Sequence, residues 1–357
     1  MSEVLARIRV RETHGIRRFL YPLTAFLERS DWSEVGMVSL FTSQDQQLPT
    51  QITPSSPEAR LRHRLDFAVS LGPHEELELE LHPTETALII ADPLSVTEEG
   101  GYHNRQQRLG IDFYAGVDQV VYEDVSHLRS RATVTRNAAE GAFIRGGTAY
   151  AVGYTLNARV ETNSEYADGT RAQTRVEITA CKSWATVTHR VDEAQPNDEI
   201  VFALPLAVTS ETLTCDFGVG GYVFGKLDSK ATEIVWKTEF GDAPYAEWTV
   251  ATAGRVDYVG EVESAEAFLA QRWFHLIDSD KALAVAITKL PDACQEMTVR
   301  LTHDGDVSVA FKLGETVAGR AEFGVCYHFL NDVPAIAAAT NPQSILLPPT
   351  VEVLPAG

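Results

Sequence analysis

The chain has 357 residues, enough for one large or two moderate domains, and its hydrophobic fraction of 44% supports a sizeable core rather than wholesale disorder. Lys and Arg number 30 against 50 Asp and Glu, a formal charge of −20, which argues against binding a phosphate backbone, since that needs a basic face. No run of about eighteen apolar residues is present to cross a membrane as a helix, so neither nucleic acid nor a membrane is an expected partner.

The opening residues Met1 to Arg7 lack the basic segment and apolar block of a secretory signal, and the expectation is a cytoplasmic protein. Ile16, Phe19, Leu20, Leu23 and Phe26 have helical spacing, but Pro22 interrupts them, so Ile16 to Leu27 reads as strand, turn, strand. Glu76-Leu77-Glu78-Leu79-Glu80-Leu81 alternates without a break, as a strand with one wet face does. Pro83, Asp92-Pro93, Glu98-Glu99 and Gly100-Gly101 punctuate the next stretch and mark a domain boundary. Val152, Tyr154, Leu156, Ala158 and Val160 read as one strand face. The Asp168-Gly169 turn and a second alternating run, Ala172 to Ala180, follow. Ala185, Val187, His189 and Val191 share a face of the next strand, and Ile200 to Leu206 is a continuous apolar run suited to a strand covered on both faces. Ser264 with Ala265 to Ala270 is the one short helix with a serine cap. Thr298 to Leu301 and Val307 to Phe311 flank an Asp304-Gly305 turn, and Ala321 to Phe329 closes the series.

Many short strands between Gly, Pro and Asp-Gly signals mean an all-β fold. The expected division is a small barrel-like domain at 1–90, a large antiparallel β-sandwich at 91–340 and an extended Pro-rich tail at 341–357. Cys181, Cys215, Cys294 and Cys326 are scattered without a CxxC pair. They fit neither a zinc ribbon nor a disulfide framework, and reduced, buried thiols are expected.

The order Glu12-Thr13-His14-Gly15-Ile16-Arg17-Arg18, Tyr21-Pro22-Leu23, Gln47-Leu48-Pro49-Thr50-Gln51, Leu65-Asp66-Phe67 and Leu71-Gly72-Pro73-His74-Glu75-Glu76 resembles the small β-domain that opens exo-acting rhamnogalacturonan lyases. A similar strand order occurs in the β-domains of class II α-mannosidases. Cys181-Lys182-Ser183-Trp184, Phe202 to Leu206, Cys215 to Gly220, Gln271-Arg272-Trp273-Phe274 and the strand Ala282 to Ile287 are similar to the large galactose-mutarotase-like sandwich of those enzymes. The resemblance implies a carbohydrate-active protein holding a saccharide on a sandwich face. It also carries a departure. The mannosidases keep their zinc site and acid/base carboxylates in an α/β domain, the lyases add a helical toroid, and neither is matched here.

Gly218 to Gly225 is glycine-rich but is followed by aromatic and β-branched residues, which suits a hairpin or bulge rather than a dinucleotide loop before a helix. Gly100 to Arg105 is the most chemically loaded stretch. Tyr102 or His103 would remove a proton, Arg105 would hold a sugar acid and Asn104 would contact the ligand, although the same stretch also reads as a polar connecting loop. Glu123, beside Asp124, is the acidic candidate. Trp273, His275 and Tyr327 are the binding candidates, with Trp184, Trp236 and Trp248 as further rings that serve equally well in a core. Tyr327 and His328 point to opposite faces of one strand, so at most one serves a given site. The histidines form no HExxH, no GxSxG elbow exists and Asp278-Ser279-Asp280 lacks the rest of a calcium loop, so no metal or cofactor is expected. The readings left open are a lyase or glycosidase, a non-catalytic binding or accessory subunit of a separate catalytic chain, and a structural homo-oligomer.

Overall fold

The computed structural model describes residues 3–28, 37–55, 62–86, 88, 90, 93–96, 102–104, 109–112, 119–122, 126–128, 131–136, 139–140, 143–153, 155–166, 169–205, 213–216, 223–227, 231–240, 245–252, 255–263, 272–278, 281–302, 306–317, 319–331 and 344–355. The protein is all-β, with antiparallel pairing throughout these residues. A single helical turn at 344–346 is the exception.

The N-terminal unit is barrel-like and built from two sheets. In one, the strand Ala6–Arg11 lies between Glu76–Pro83 and Thr350–Leu354, so the Pro-rich tail enters the first sheet as a strand. The alternation at Glu76 to Leu81 is realised there: Leu79 and Leu81 are buried with Ile8 and Val10, while the glutamates face solvent. On the wet face Arg7, Arg9 and Arg11 stand opposite Glu80, Glu78 and Glu76 and pair with them at 3.1, 2.7 and 2.6 Å. Cross-strand opposite charges of this kind favour one register over a slip that would turn the leucines outward.

The second sheet has three strands, Arg18–Glu28, Arg62–Leu71 and Thr50–Pro54, in that spatial order. The expected strand, turn, strand at Ile16 to Leu27 is instead one strand with a bulge between Arg18 and Tyr21, where Leu20 sits at φ 41°. Pro22 is tolerated because this is an edge strand, where the missing N–H breaks no ladder. The central strand is buried on both faces from Arg64 to Val69, so two charged residues, Arg64 and Asp66, are carried inside.

The large unit is a sandwich of an eight-stranded and a nine-stranded sheet. Its core joins Ala158, Val160, Ile178 and Val187 of one sheet to Phe202, Trp236, Val299 and Phe311 of the other. The run Val152 to Val160 is not one strand: Phe143–Gly153 and Asn157–Tyr166 form a hairpin in which Gly153 pairs with Ala158. Apolar residues continued through the turn because Leu156 is itself buried there. The apolar run at Ile200 is half covered, with Ile200 and Phe202 buried and Val201 partly exposed. The expected helix at Ser264 to Ala270 lies outside the described residues.

Candidate functional site

The two units meet on the outer face of the nine-stranded sheet. Reading straight across six of its strands, Arg159, Glu177, Thr186, Cys326, Ala286 and Trp273 are cross-strand partners in register. The row one residue away, Ala158, Ile178, Ala185, Tyr327 and Val285, faces the sandwich core. The first row changes from charged to apolar along its length. Trp184, Cys326, Ala286 and Trp273 share a second core with Tyr21, Leu65 and Phe67 of the N-terminal unit.

Polar contacts tie the charged end. Gln51 Oε1 accepts from the backbone N–H groups of Leu156 and Asn157, each at 3.1 Å, and its Nε2 donates to the Asn157 carbonyl at 3.1 Å. Arg159 donates to the Pro54 carbonyl at 2.7 Å. Arg64 Nη1 and Nη2 each donate to Glu177 at 2.7 Å, and its Nε donates to Asp66 Oδ1 at 2.8 Å. The Thr24 hydroxyl donates to Asp66 Oδ1 at 2.7 Å.

Between these contacts lies a pocket of about 210 Å³. Thr24, Asn157, Thr179, Thr186 and Thr288 line it, with Asp66, Glu177, Tyr21 and Trp184. The two rings meet edge to face, centroids 5.7 Å apart. A wider hollow of about 400 Å³ lies further along the same strands around Asn163, Gln173, Arg190 and Asp192. Its groups are largely engaged with one another: Gln173 donates to Asn163 at 3.3 Å, and Arg190 and Arg320 approach Asp192 at 3.3 and 3.2 Å. The junction pocket has the stronger chemistry.

Burial pushes the Asp66 carboxyl up, and the nearby Glu177 charge adds to this against the pull of Arg64. Burial also acts on Glu177, but Arg64 at two points, with Arg175 and Arg159 behind it, holds that carboxyl below its ordinary range. Two carboxylates on one guanidinium thus have proton affinities pushed apart, an arrangement found at acid/base sites and also in structural ion-pair networks. Asp66 Oδ2 is buried with no hydrogen-bond partner among the described residues. Burial raises the Cys326 thiol to about 12, so it remains protonated and is no nucleophile.

The residues singled out from sequence fall elsewhere. Tyr327 is 1% exposed inside the sandwich core, so it presents no ring to a ligand, and His328 on the opposite face is the neighbour of Trp184. Trp273 is buried at the junction and Trp236 in the sandwich, so neither indole stands exposed as an open platform. His275 lies in register with Ala284, which pairs with His328; its side chain is outside the described residues. Tyr102, His103 and Asn104 form a short strand paired to Leu109–Asp112 and Ser95–Val96 rather than a free loop, and their side chains are outside the described residues. Arg105 and Glu123 lie outside them altogether. Sequence reasoning missed Arg64, Asp66 and Glu177. The available signal was an Arg and an Asp two apart on one strand face, interleaved with Leu65 and Phe67.

No protein-family model matches the sequence, and no curated protein sequence does. Solved structures do match. A glycosyl hydrolase family 38 protein from Enterococcus faecalis covers 99% of this chain at 8% identity and a TM-score of 0.56. An α-mannosidase from Enterococcus faecalis V583 covers 99% at 8% identity and a TM-score of 0.57. The likeness is one of fold. The chain spans about half of each, 48% and 46%. A galactose 1-epimerase from Lactobacillus acidophilus NCFM aligns with a TM-score of 0.33, too low to bear on the fold. No helix among the described residues is long and apolar enough to cross a membrane, and none of their His, Cys, Asp and Glu side chains gather in threes to hold a metal.

Proposed function

We propose that this chain is a saccharide-binding β-module that holds one sugar residue in the pocket between its two units and works beside a separate catalytic part. The observation that carries this reading is the junction pocket itself, lined by Thr24, Asn157, Thr179, Thr186, Asp66 and Glu177 together with Tyr21 and Trp184. At about 210 Å³ it lies below the roughly 300 Å³ where pockets for drug-sized ligands begin, which suits one sugar ring rather than a chain. The fold shared with glycosidase chains of about twice this length supports a saccharide-related role and a division of labour with other chain segments. Cys181, Cys294 and Cys326 as free thiols support a reducing, cytoplasmic setting.

The split between Asp66 and Glu177 favours a second reading, in which the chain itself cleaves a glycosidic bond. In its eliminative version Tyr102 or His103 takes the proton, Arg105 holds the sugar acid, and Asn104 and Glu123 complete the site. Titration calorimetry of the pure chain with a panel of oligosaccharides, followed by mass spectrometry, separates the two. Binding without products supports the module. Fragments whose summed mass equals the parent mean elimination, and a gain of one water means hydrolysis. No heat and no products across the panel would end both.

A further inference from the structure

The wider hollow lies on the outer face of three neighbouring strands, Asn157–Tyr166, Arg171–Thr179 and Trp184–Ala194. Asn163, Gln173 and Arg190 are cross-strand partners in one row of that face, and Glu165, Arg171 and Asp192 in the next. Donors outnumber acceptors there. Asp192 Oδ1 is approached by Arg190 Nε at 3.3 Å and by Arg320 Nε at 3.2 Å, one nitrogen from each guanidinium. The other two nitrogens of Arg190 meet no acceptor among the described residues. Arg171 stands in register between Glu165 and Asp192, yet it forms no ion pair with a carboxylate among the described residues. Gln173 Nε2 donates to Asn163 Oδ1 at 3.3 Å, which leaves the Asn163 amide N–H groups and the Gln173 side-chain oxygen open. Arg171 and Asn163 are exposed and Arg190 is 30% exposed, so a solute can reach all three.

We infer that this hollow is a second ligand site, separate from the junction pocket, for a small polyhydroxylated anion. The carboxylate or phosphate of the ligand lies between Arg171 and Arg190, and its hydroxyls meet Asn163 and Gln173. The planar N–H fork of a guanidinium matches the oxygens of either anion, and both arginines have nitrogens unspent for it. Arg171, Arg190 and Arg320 face Asp192 and Glu165, which leaves a single positive charge in the hollow. The chain as a whole carries −20, but charges beyond about 8 Å are screened at physiological salt, so the groups in the hollow decide. Its volume of about 400 Å³ falls in the range of roughly 300 to 1,000 Å³ of small-molecule sites.

The test is titration calorimetry of glucose 6-phosphate, glucuronate and glucose into the full chain, Arg171→Gln, Asn163→Ala and Arg7→Gln. The expected result is that at least one of the two anions binds about tenfold or more tighter than glucose, the scale of a hydrogen bond to a charged group. The stronger of the two names the anion as phosphate or carboxylate. Arg171→Gln weakens that anion by a similar factor. It removes no contact among the described residues, so it alters the site without touching the fold. Arg7→Gln takes the same charge from the wet face of the N-terminal unit and leaves the affinity unchanged, which separates a local site from the field of the whole chain. Asn163→Ala weakens the anion and leaves the weak glucose signal where it was. Glucose binding as tightly as either anion, no binding of either anion, or an anion affinity that survives Arg171→Gln would overturn the inference. So would an equal loss in Arg7→Gln, and an unchanged affinity in Asn163→Ala would overturn the placement of the hydroxyls.

Discussion

Arg64 and Glu177 are 113 residues apart in sequence and meet at two points, Nη1 to Oε1 and Nη2 to Oε2, each at 2.7 Å. One guanidinium from the N-terminal unit thereby closes on a carboxylate in the sheet of the sandwich, and Asp66 two residues along the same strand completes the cluster. The fork geometry fixes both distance and angle between the units, which a lysine at 64 would not do.

Breaking that pair leaves an uncompensated charge at a mostly dry junction. Arg64→Ala and Glu177→Ala are each expected to lower stability by about 3 kcal/mol. The double variant should lose clearly less than the sum, because the partners belong to one network. Chemical denaturation of the three variants measures this, and strictly additive losses would show that the two residues are not coupled.

Gln51 supplies one acceptor and one donor across the same junction. Gln51→Ala removes three hydrogen bonds and leaves the backbone N–H of buried Leu156 without its acceptor. A loss of about 2 kcal/mol is expected, mostly from that unpaired group. Faster amide hydrogen exchange at Leu156 and Asn157 than at Val176 would localise the effect to the turn, and uniform exchange would contradict it.

His189 sits in the sandwich core, 1% exposed, with Nδ1 2.9 Å from the Thr174 hydroxyl and its ring edge-on to Phe202. Burial pushes its pKa down from 6.5 to about 4. The unfolded chain therefore takes up a proton below pH 6.5 that the folded chain refuses until about pH 4, so stability falls as pH drops through that window, by about 3 kcal/mol in all. His189→Leu should flatten this part of the pH–stability curve. An unchanged slope between pH 6.5 and 4 would assign the loss to other groups.

Glu12 acts in the same sense, and lower down. Burial opposes its charge, but the Arg18 guanidinium and the N–H groups of His14, His74 and Ile16 outweigh it and bring the carboxyl from 4.5 to about 2. Its stabilisation is complete above pH 4.5 and is lost as pH falls toward 2. Arg18 also holds the Ser344 carbonyl at 2.7 Å, so Glu12→Gln should loosen the C-terminal segment together with the loop at His74. Limited proteolysis near Ser344 at pH 7 reports it; equal cleavage of both proteins would refute the link.

Gly324 lies where the strand Gly319–Asn331 passes a register shift in Lys281–Lys289. A Cβ there would meet Thr288 Oγ1 at 2.6 Å and Lys289 Cβ at 3.0 Å. Gly324→Ala should cost about 1 to 3 kcal/mol through overpacking. A melting temperature equal to that of the unaltered protein would show that the bulge yields.

Alternation and turn chemistry are local properties, and the sequence carried them openly. Glu76 to Leu81, Ala172 to Ala180, Ala185 to Val191 and the strand Ala321 to Phe329 declared an all-β chain, and the opposite facing of Tyr327 and His328 followed from period two alone. Period two does not say which face meets which neighbour. Only the stacking of six strands in register put Arg159, Glu177, Thr186 and Cys326 in one row, turned Tyr327 into the core and brought the N-terminal strand that bears Arg64 and Asp66 over that row. Val152 to Val160 failed as a single strand for a related reason: Leu156 is apolar because it is buried within the turn, not because the strand continues. A charged pair inside a strand looks in sequence like a wet face. It becomes a site only when a second layer removes the water, and that layer is a long-range contact no local pattern encodes.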